Sequence, residues 1–122
     1  MKKSVKILGT KYTIRKVDFG KDEFIDSNGL GGYCNGTAKQ IVILNLETLP
    51  PMKDEPQAVL DRKERETLRH EVIHAFLHES GLGWNTLPIE RAWAQNEEMV
   101  DWIAMQFPKI LKVFIELGCE GE

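Results

Sequence analysis

An α+β domain is the fold class that this chain of 122 residues predicts, and three observations predict it. Residues 1–45 hold short alternating or β-branched runs separated by glycine turns, the pattern of strands. Residues 57–79 contain no Gly or Pro and are built mostly of good helix formers. Residues 89–107 are equally free of helix breakers and carry apolar residues at helical spacing. Strands followed by helices predict a small N-terminal antiparallel or mixed sheet packed on one long helix, with two further helices after it.

The elements follow in order. Val5-Lys6-Ile7-Leu8 and Tyr12-Thr13-Ile14-Arg15-Lys16-Val17 flank Gly9-Thr10 and read as a β-hairpin. Residues 18–32 are polar and glycine-rich, with Asn28-Gly29 and Gly31-Gly32, and read as a loop. Tyr33-Cys34 starts a short strand, Asn35-Gly36-Thr37 is a turn signal, and Gln40-Ile41-Val42-Ile43-Leu44-Asn45 is the clearest strand of the chain. Pro50, Pro51 and Pro56 make 46–56 a loop. A helix over 57–80 then ends at the stop signals Gly81 and Gly83, a second helix spans 89–107, and a third spans 109–117 before Gly118. With no repeat or low-complexity tract, the whole of 1–122 reads as one domain with a single core.

Composition narrows the class of function. Hydrophobic residues make up 42% of the chain and charged residues 29%, ordinary for a soluble globular protein. A net charge of −3 gives no general attraction to nucleic acid or an anionic membrane. Arg62, Lys63, Arg65 and Arg69 cluster on the long helix, but their interleaving with Glu64 and Glu66 predicts a solvated, salt-bridged face and not a nucleic-acid stripe. No apolar run approaches the roughly 18 residues of a membrane span. Two cysteines, Cys34 and Cys119, and no secretory leader predict a cytoplasmic protein with reduced thiols.

The chemistry is concentrated in His70-Glu71-Val72-Ile73-His74. Residues four apart share a helix face, so both imidazoles can meet one metal ion. Zn²⁺ suits such a pair. Glu71 follows the first histidine and can serve as the base for a water that the ion acidifies.

Two histidines do not complete a catalytic zinc site, which usually has three protein ligands and an open position. His78, one further turn on, is an unsuitable third ligand. It lies about 12 Å along the helix from His70, at 1.5 Å per residue, whereas nitrogens on one zinc are at most about 4 Å apart. The second helix offers carboxylates instead. At 100° per residue from Val100, Phe107, Trp93 and Ala104 fall within about 40° of one direction, Glu97 at about 60°, Asp101 at about 100° and Glu98 at about 160°. Glu97 is therefore the carboxylate best placed to look inward. Asp101, one turn below it, can hold the other ring N–H of a histidine. Glu98 and His78 remain the alternatives for the third ligand.

Two segments carry a family resemblance, His70-Glu71-x-x-His74 and Asn96-Glu97-x-x-x-Asp101. Together they resemble the gluzincin-type zinc metallopeptidases. The second segment looks like the Asn-Glu-x-x-x-Asp element of thermolysin-like enzymes, whose glutamate is the third ligand and whose aspartate braces a histidine. The short spacing and the following Asp101-Trp102-Ile103-Ala104 are more similar to the small ImmA/IrrE-type zincins and related phage or prophage peptidases. The resemblance covers residues 67–107. It implies a minimal zincin-like fold, one Zn²⁺ held by His70, His74 and Glu97, Asp101 as support, and Glu71 as general base.

The function expected is hydrolysis of a peptide bond in a protein or peptide substrate. The alternative is a non-catalytic binding module on the same scaffold with a structural metal. In peptidases of this type an exposed strand edge commonly takes the substrate as an added strand, and either Gly32–Asn35 or Ile41–Leu44 could supply it. Tyr33 is a candidate donor to a developing oxyanion.

Overall fold

The computed structural model describes residues 1–84 and 97–121. The α+β order expected from the sequence is present: a four-stranded mixed sheet and three α-helices. The strands are β1 (Ser4–Ile7), β2 (Thr10–Asp18), β3 (Gly32–Asn35) and β4 (Gln40–Asn45). The helices are α1 (Glu23–Asn28), α2 (Gln57–Glu79) and α3 (Glu97–Leu117).

The predicted hairpin is β1–β2. Its turn is made by Leu8 and Gly9, with φ of 49° and 88°, the pair of positive values that a tight hairpin turn of matching twist requires. The sheet order is β1-β2-β4-β3, with β2 and β4 parallel and the other two pairs antiparallel. Parallel pairing needs a crossover, and the chain between β2 and β4 contains α1 and β3. The stretch expected to be a loop over 18–32 thus holds a helix. Asp22 caps it by accepting a hydrogen bond from the Ile25 amide at 3.1 Å, and Gly29 closes it in the left-handed region with φ 61°. A helix of six residues leaves too short a periodicity to be read from sequence.

Alternation along the strands gives the sheet two faces. Val5, Ile7, Tyr12, Ile14, Ile41 and Ile43 pack with Leu68, Val72, Ala75 and Phe76 of α2 and with Ile110 and Val113 of α3. On the other face Val42 and Leu44 pack with Ile25 of α1, and Val17 and Tyr33 lie against them. β4 is buried over Ile41–Leu44 on both faces, which explains why it is the most continuous apolar run in the N-terminal half.

The expected division into helices over 89–107 and 109–117 is corrected. α3 runs unbroken from Glu97 through Pro108 to Leu117, and 89–96 lie outside the described residues. A proline inside a helix costs about 3 kcal/mol. Burial of Ile110 and Val113 just beyond it, in the same core as the sheet and α2, offsets that at roughly 1.5–3 kcal/mol per side chain. The charged face of α2 is also organised differently from the predicted intrahelical pairs. Glu64 accepts from Lys16 of β2 at 2.6 Å, and Arg69 donates to the carbonyls of Cys119 and Gly121. Cys34 and Cys119 are free thiols. Among the described residues no helix is long and apolar enough to cross a membrane.

Candidate metal centre

α2 is the element that builds the site. Its core side is set by Leu68, Val72, Ala75 and Phe76, all buried. At 100° per residue His70 and His74 fall on the side turned away from that core, and Glu71 falls between the two. Both imidazoles are accordingly exposed, while Glu71 is 5% exposed and is the one buried charged residue among those described.

The spacing brings the two rings together as expected. His70 Nε2 and His74 Nε2 are 3.0 Å apart, with ring centroids 4.7 Å apart at an interplanar angle of 68°. Two nitrogens bound tetrahedrally to one Zn²⁺ at 2.0–2.1 Å stand about 3.3 Å apart, so only a small adjustment separates this pair from a bidentate metal grip. One ligand atom from each of His70, Glu71 and His74 lies within 4.8 Å of the others, the single such grouping of three or more among the described residues.

Electrostatics keep the groups in usable states. Desolvation lowers the pKa of His74, and the neighbouring His70 lowers it further, so its imidazole is held neutral, the form that ligates. Burial raises the pKa of Glu71 above the ordinary carboxylate range, partly offset by His70. A carboxyl displaced towards neutrality is a better proton carrier near pH 7 than an ordinary surface glutamate. Burial together with the charge of Glu71 pushes the Cys34 thiol up to about 11, and Cys34 lies outside the grouping of His70, Glu71 and His74.

The other sequence candidates separate. His78 is not in the three-residue grouping. Its ring instead lies over Gly36 in the β3–β4 turn, where an added Cβ would overlap the imidazole. The axial distance that argued against His78 thus holds, and its packing role is specific. Gly36→Ala is expected to cost about 1–3 kcal/mol through this overlap. His78→Ala in the same chain should recover most of that loss, a coupling readable by urea denaturation of the two single variants and the double variant. The side chains of Glu97 and Asp101 lie outside the described residues; Glu98 is exposed on α3. Tyr33 faces away from α2. Its hydroxyl donates to Asp22 at 3.0 Å and its ring meets Phe24 edge-on at 5.0 Å, so the expectation of an oxyanion donor at this position is corrected. Strand parity decides this, because Cys34 and Gly32 point to the helix side and Tyr33 to the opposite side.

The edge-strand question is also resolved by topology. Ile41–Leu44 lies in β4, paired on both sides, while β3 ends the sheet and packs beside α2. Only β3 of those two candidates has a side without a strand neighbour.

One feature had no sequence signal. Glu79, at the last turn of α2, accepts from Thr10 Oγ1 at 2.9 Å, from Tyr12 OH at 2.7 Å and from Lys39 Nζ. These partners come from the first three residues of β2 and from the β3–β4 turn, so one carboxylate ties the end of the metal helix to the sheet. The Lys39 ammonium and the two hydroxyls pull the Glu79 carboxyl down to about 2. A carboxyl depressed in the folded state contributes stability that is complete above its unfolded value and is lost as pH falls towards the folded value. The wild type should therefore lose about 2–3 kcal/mol between pH 4.5 and pH 2 that a Glu79→Gln variant does not lose, measured by urea denaturation at both ends of that window.

No family model, curated protein or solved structure matches this chain.

Proposed function

We propose that the chain is a zinc-dependent peptidase, with His70, His74 and Glu97 as metal ligands, Asp101 as the brace of a histidine and Glu71 as general base. The observation that carries this reading is the buried Glu71 carboxylate grouped within 4.8 Å of two imidazoles whose Nε2 atoms are 3.0 Å apart. A purely structural metal site has no use for that carboxylate. The donor set of two nitrogens and a carboxylate oxygen is one that Zn²⁺ accepts.

A divalent ion held by His70, His74 and Glu97 would supply Lewis acidity, lowering the pKa of a water and polarising a carbonyl. The chain's own groups supply the rest. Glu71 takes the proton of the attacking water and returns it to the departing nitrogen, so that no free amide anion leaves. β3 offers the backbone edge along which an extended substrate can align. One feature supports a ligand from α3: Trp102 Nε1 donates to Ser80 Oγ at 3.1 Å, which ties the part of α3 that carries Glu97 to the end of α2.

The test is the zinc content of the purified chain and of its Glu97→Ala and His78→Ala variants, followed by a hydrolysis screen on a mixed peptide library. One zinc per chain, lost with Glu97 and kept without His78, together with cleavage that EDTA abolishes, is the expected result. Failure to bind zinc even when it is supplied would end the peptidase reading. Zinc bound with no cleavage of any peptide would favour a binding module with a structural metal.

A further inference from the structure

Two cavities flank the histidine pair along α2, and their chemistry differs. The one beside His74, about 340 Å³, is walled by Cys34, Gly36, Leu77, His78 and Leu82 and holds no carboxylate among the described residues. The one beside His70, about 370 Å³, is walled by Gly31, Gly32, Glu66, Thr67, His70 and Glu71. Both are at the lower end of the volumes that ligand sites occupy, about 300–1,000 Å³.

We infer that the cavity beside His70 is a binding site for a cationic group of the substrate, with Glu66 as the residue that selects it. Glu66 is one helical turn before His70 and shares its side of α2. It is exposed and has no ion-pair or hydrogen-bond partner among the described residues. The nearest basic residues of its own helix turn, Arg62 and Lys63, form no ion pair with it. Among the described residues the His70 imidazole is the one basic group that lines the cavity, with no lysine or arginine beside it. Glu71 adds a second carboxyl, Thr67 a hydroxyl, and the bare peptide units at Gly31 and Gly32 form the opposite wall.

That wall depends on glycine. A Cβ at Gly32 would stand 2.7 Å from the Val42 carbonyl oxygen and 3.0 Å from Thr67 Cγ2, and one at Gly31 would enter the space in front of Thr67, 3.6 Å from its Oγ1. An ammonium or guanidinium at this position meets two carboxyls and a hydroxyl, with His70 as the one basic neighbour among the described residues. The same group in the cavity beside His74 meets none of these carboxyls. As a substrate subsite the inference rests on the peptidase reading; as a cation site it can be tested without it.

A cation here could be a basic side chain or a free amino terminus, and one experiment separates them. Amide resonances of the full-length ¹⁵N-labelled chain are followed in EDTA, so that no amine is captured by a metal ion. The probes are acetyl-lysine N-methylamide, alanine N-methylamide and the neutral acetyl-norleucine N-methylamide. The expected result is a saturable shift of Gly31, Gly32 and Thr67 with a cationic probe, binding about twofold to fivefold tighter than norleucine, and little movement of Gly36 and Gly83. Glu66→Gln, an exposed and conservative change, should remove that preference, and Gly31→Ala should weaken the same probe. Tighter binding of the lysine probe assigns the site to a basic side chain, and tighter binding of the alanine probe to the amino terminus. Equal affinity for norleucine, equal shifts at Gly36 and Gly83, or an unchanged preference in Glu66→Gln would overturn the inference. Because the assay needs neither zinc nor turnover, its outcome is independent of whether the metal reading survives.

Discussion

Glu71→Gln is expected to keep one zinc per chain and to lower peptide hydrolysis by about 10²–10⁴-fold, the usual contribution of a positioned general base. Glutamine preserves the volume of a residue that is 5% exposed and packed at the edge of the core, so the fold should be retained. What it removes is the capacity to accept a proton from water and deliver it to the leaving nitrogen. The pH profile provides a second readout. As the proton acceptor, Glu71 should set the acid limb of the activity profile, and that limb should be absent from the residual activity of the glutamine variant. Activity within twofold of wild type in Glu71→Gln would remove Glu71 from the mechanism. Loss of zinc in that variant would show that the carboxylate is a ligand and not a base.

The site was legible in the sequence to the extent that it is local. His70, Glu71 and His74 lie on one helix, and the helical repeat alone fixes their mutual placement. The same reasoning argued against His78, whose ring lies over Gly36. The helix itself was readable because nothing in 57–79 interrupts it. What sequence reasoning missed depends on contacts between distant residues. The parallel pairing of β2 with β4 gives no pattern in either strand alone. The role of Tyr33 turned on which side of β3 faces α2, a parity set only once β3 pairs with β4. The continuity of α3 through Pro108 is a case of tertiary burial outweighing a local penalty. Glu79 carried no signal because its three partners are 40 to 69 residues away in the chain.

Phe76→Ala should destabilise the protein by about 3–5 kcal/mol, the range for truncating a fully buried aromatic side chain. Phe76 is 1% exposed and is among the largest fully enclosed side chains, in the core where α2, α3 and the helix-side face of the sheet meet. Alanine leaves a cavity that Ile7, Tyr12 and Ile43, each no more than 1% exposed, cannot fill without giving up their own contacts. Against a typical total of 5–15 kcal/mol, the loss is a large fraction, and thermal unfolding should fall by roughly 10–20 °C. The consequence reaches the metal centre because Phe76 lies two residues after His74 on the same helix and secures the core-facing side of the segment that presents both imidazoles. Saturating zinc binds only the folded state, so it should restore part of the lost transition temperature, in proportion to the logarithm of its concentration over its dissociation constant. A Phe76→Ala protein that melts within a few degrees of wild type would mean that α2 is held mainly by other contacts, with the Glu79 network the first to examine. A variant that melts early and gains nothing from zinc would instead show that the two histidines do not grip a metal in the folded chain.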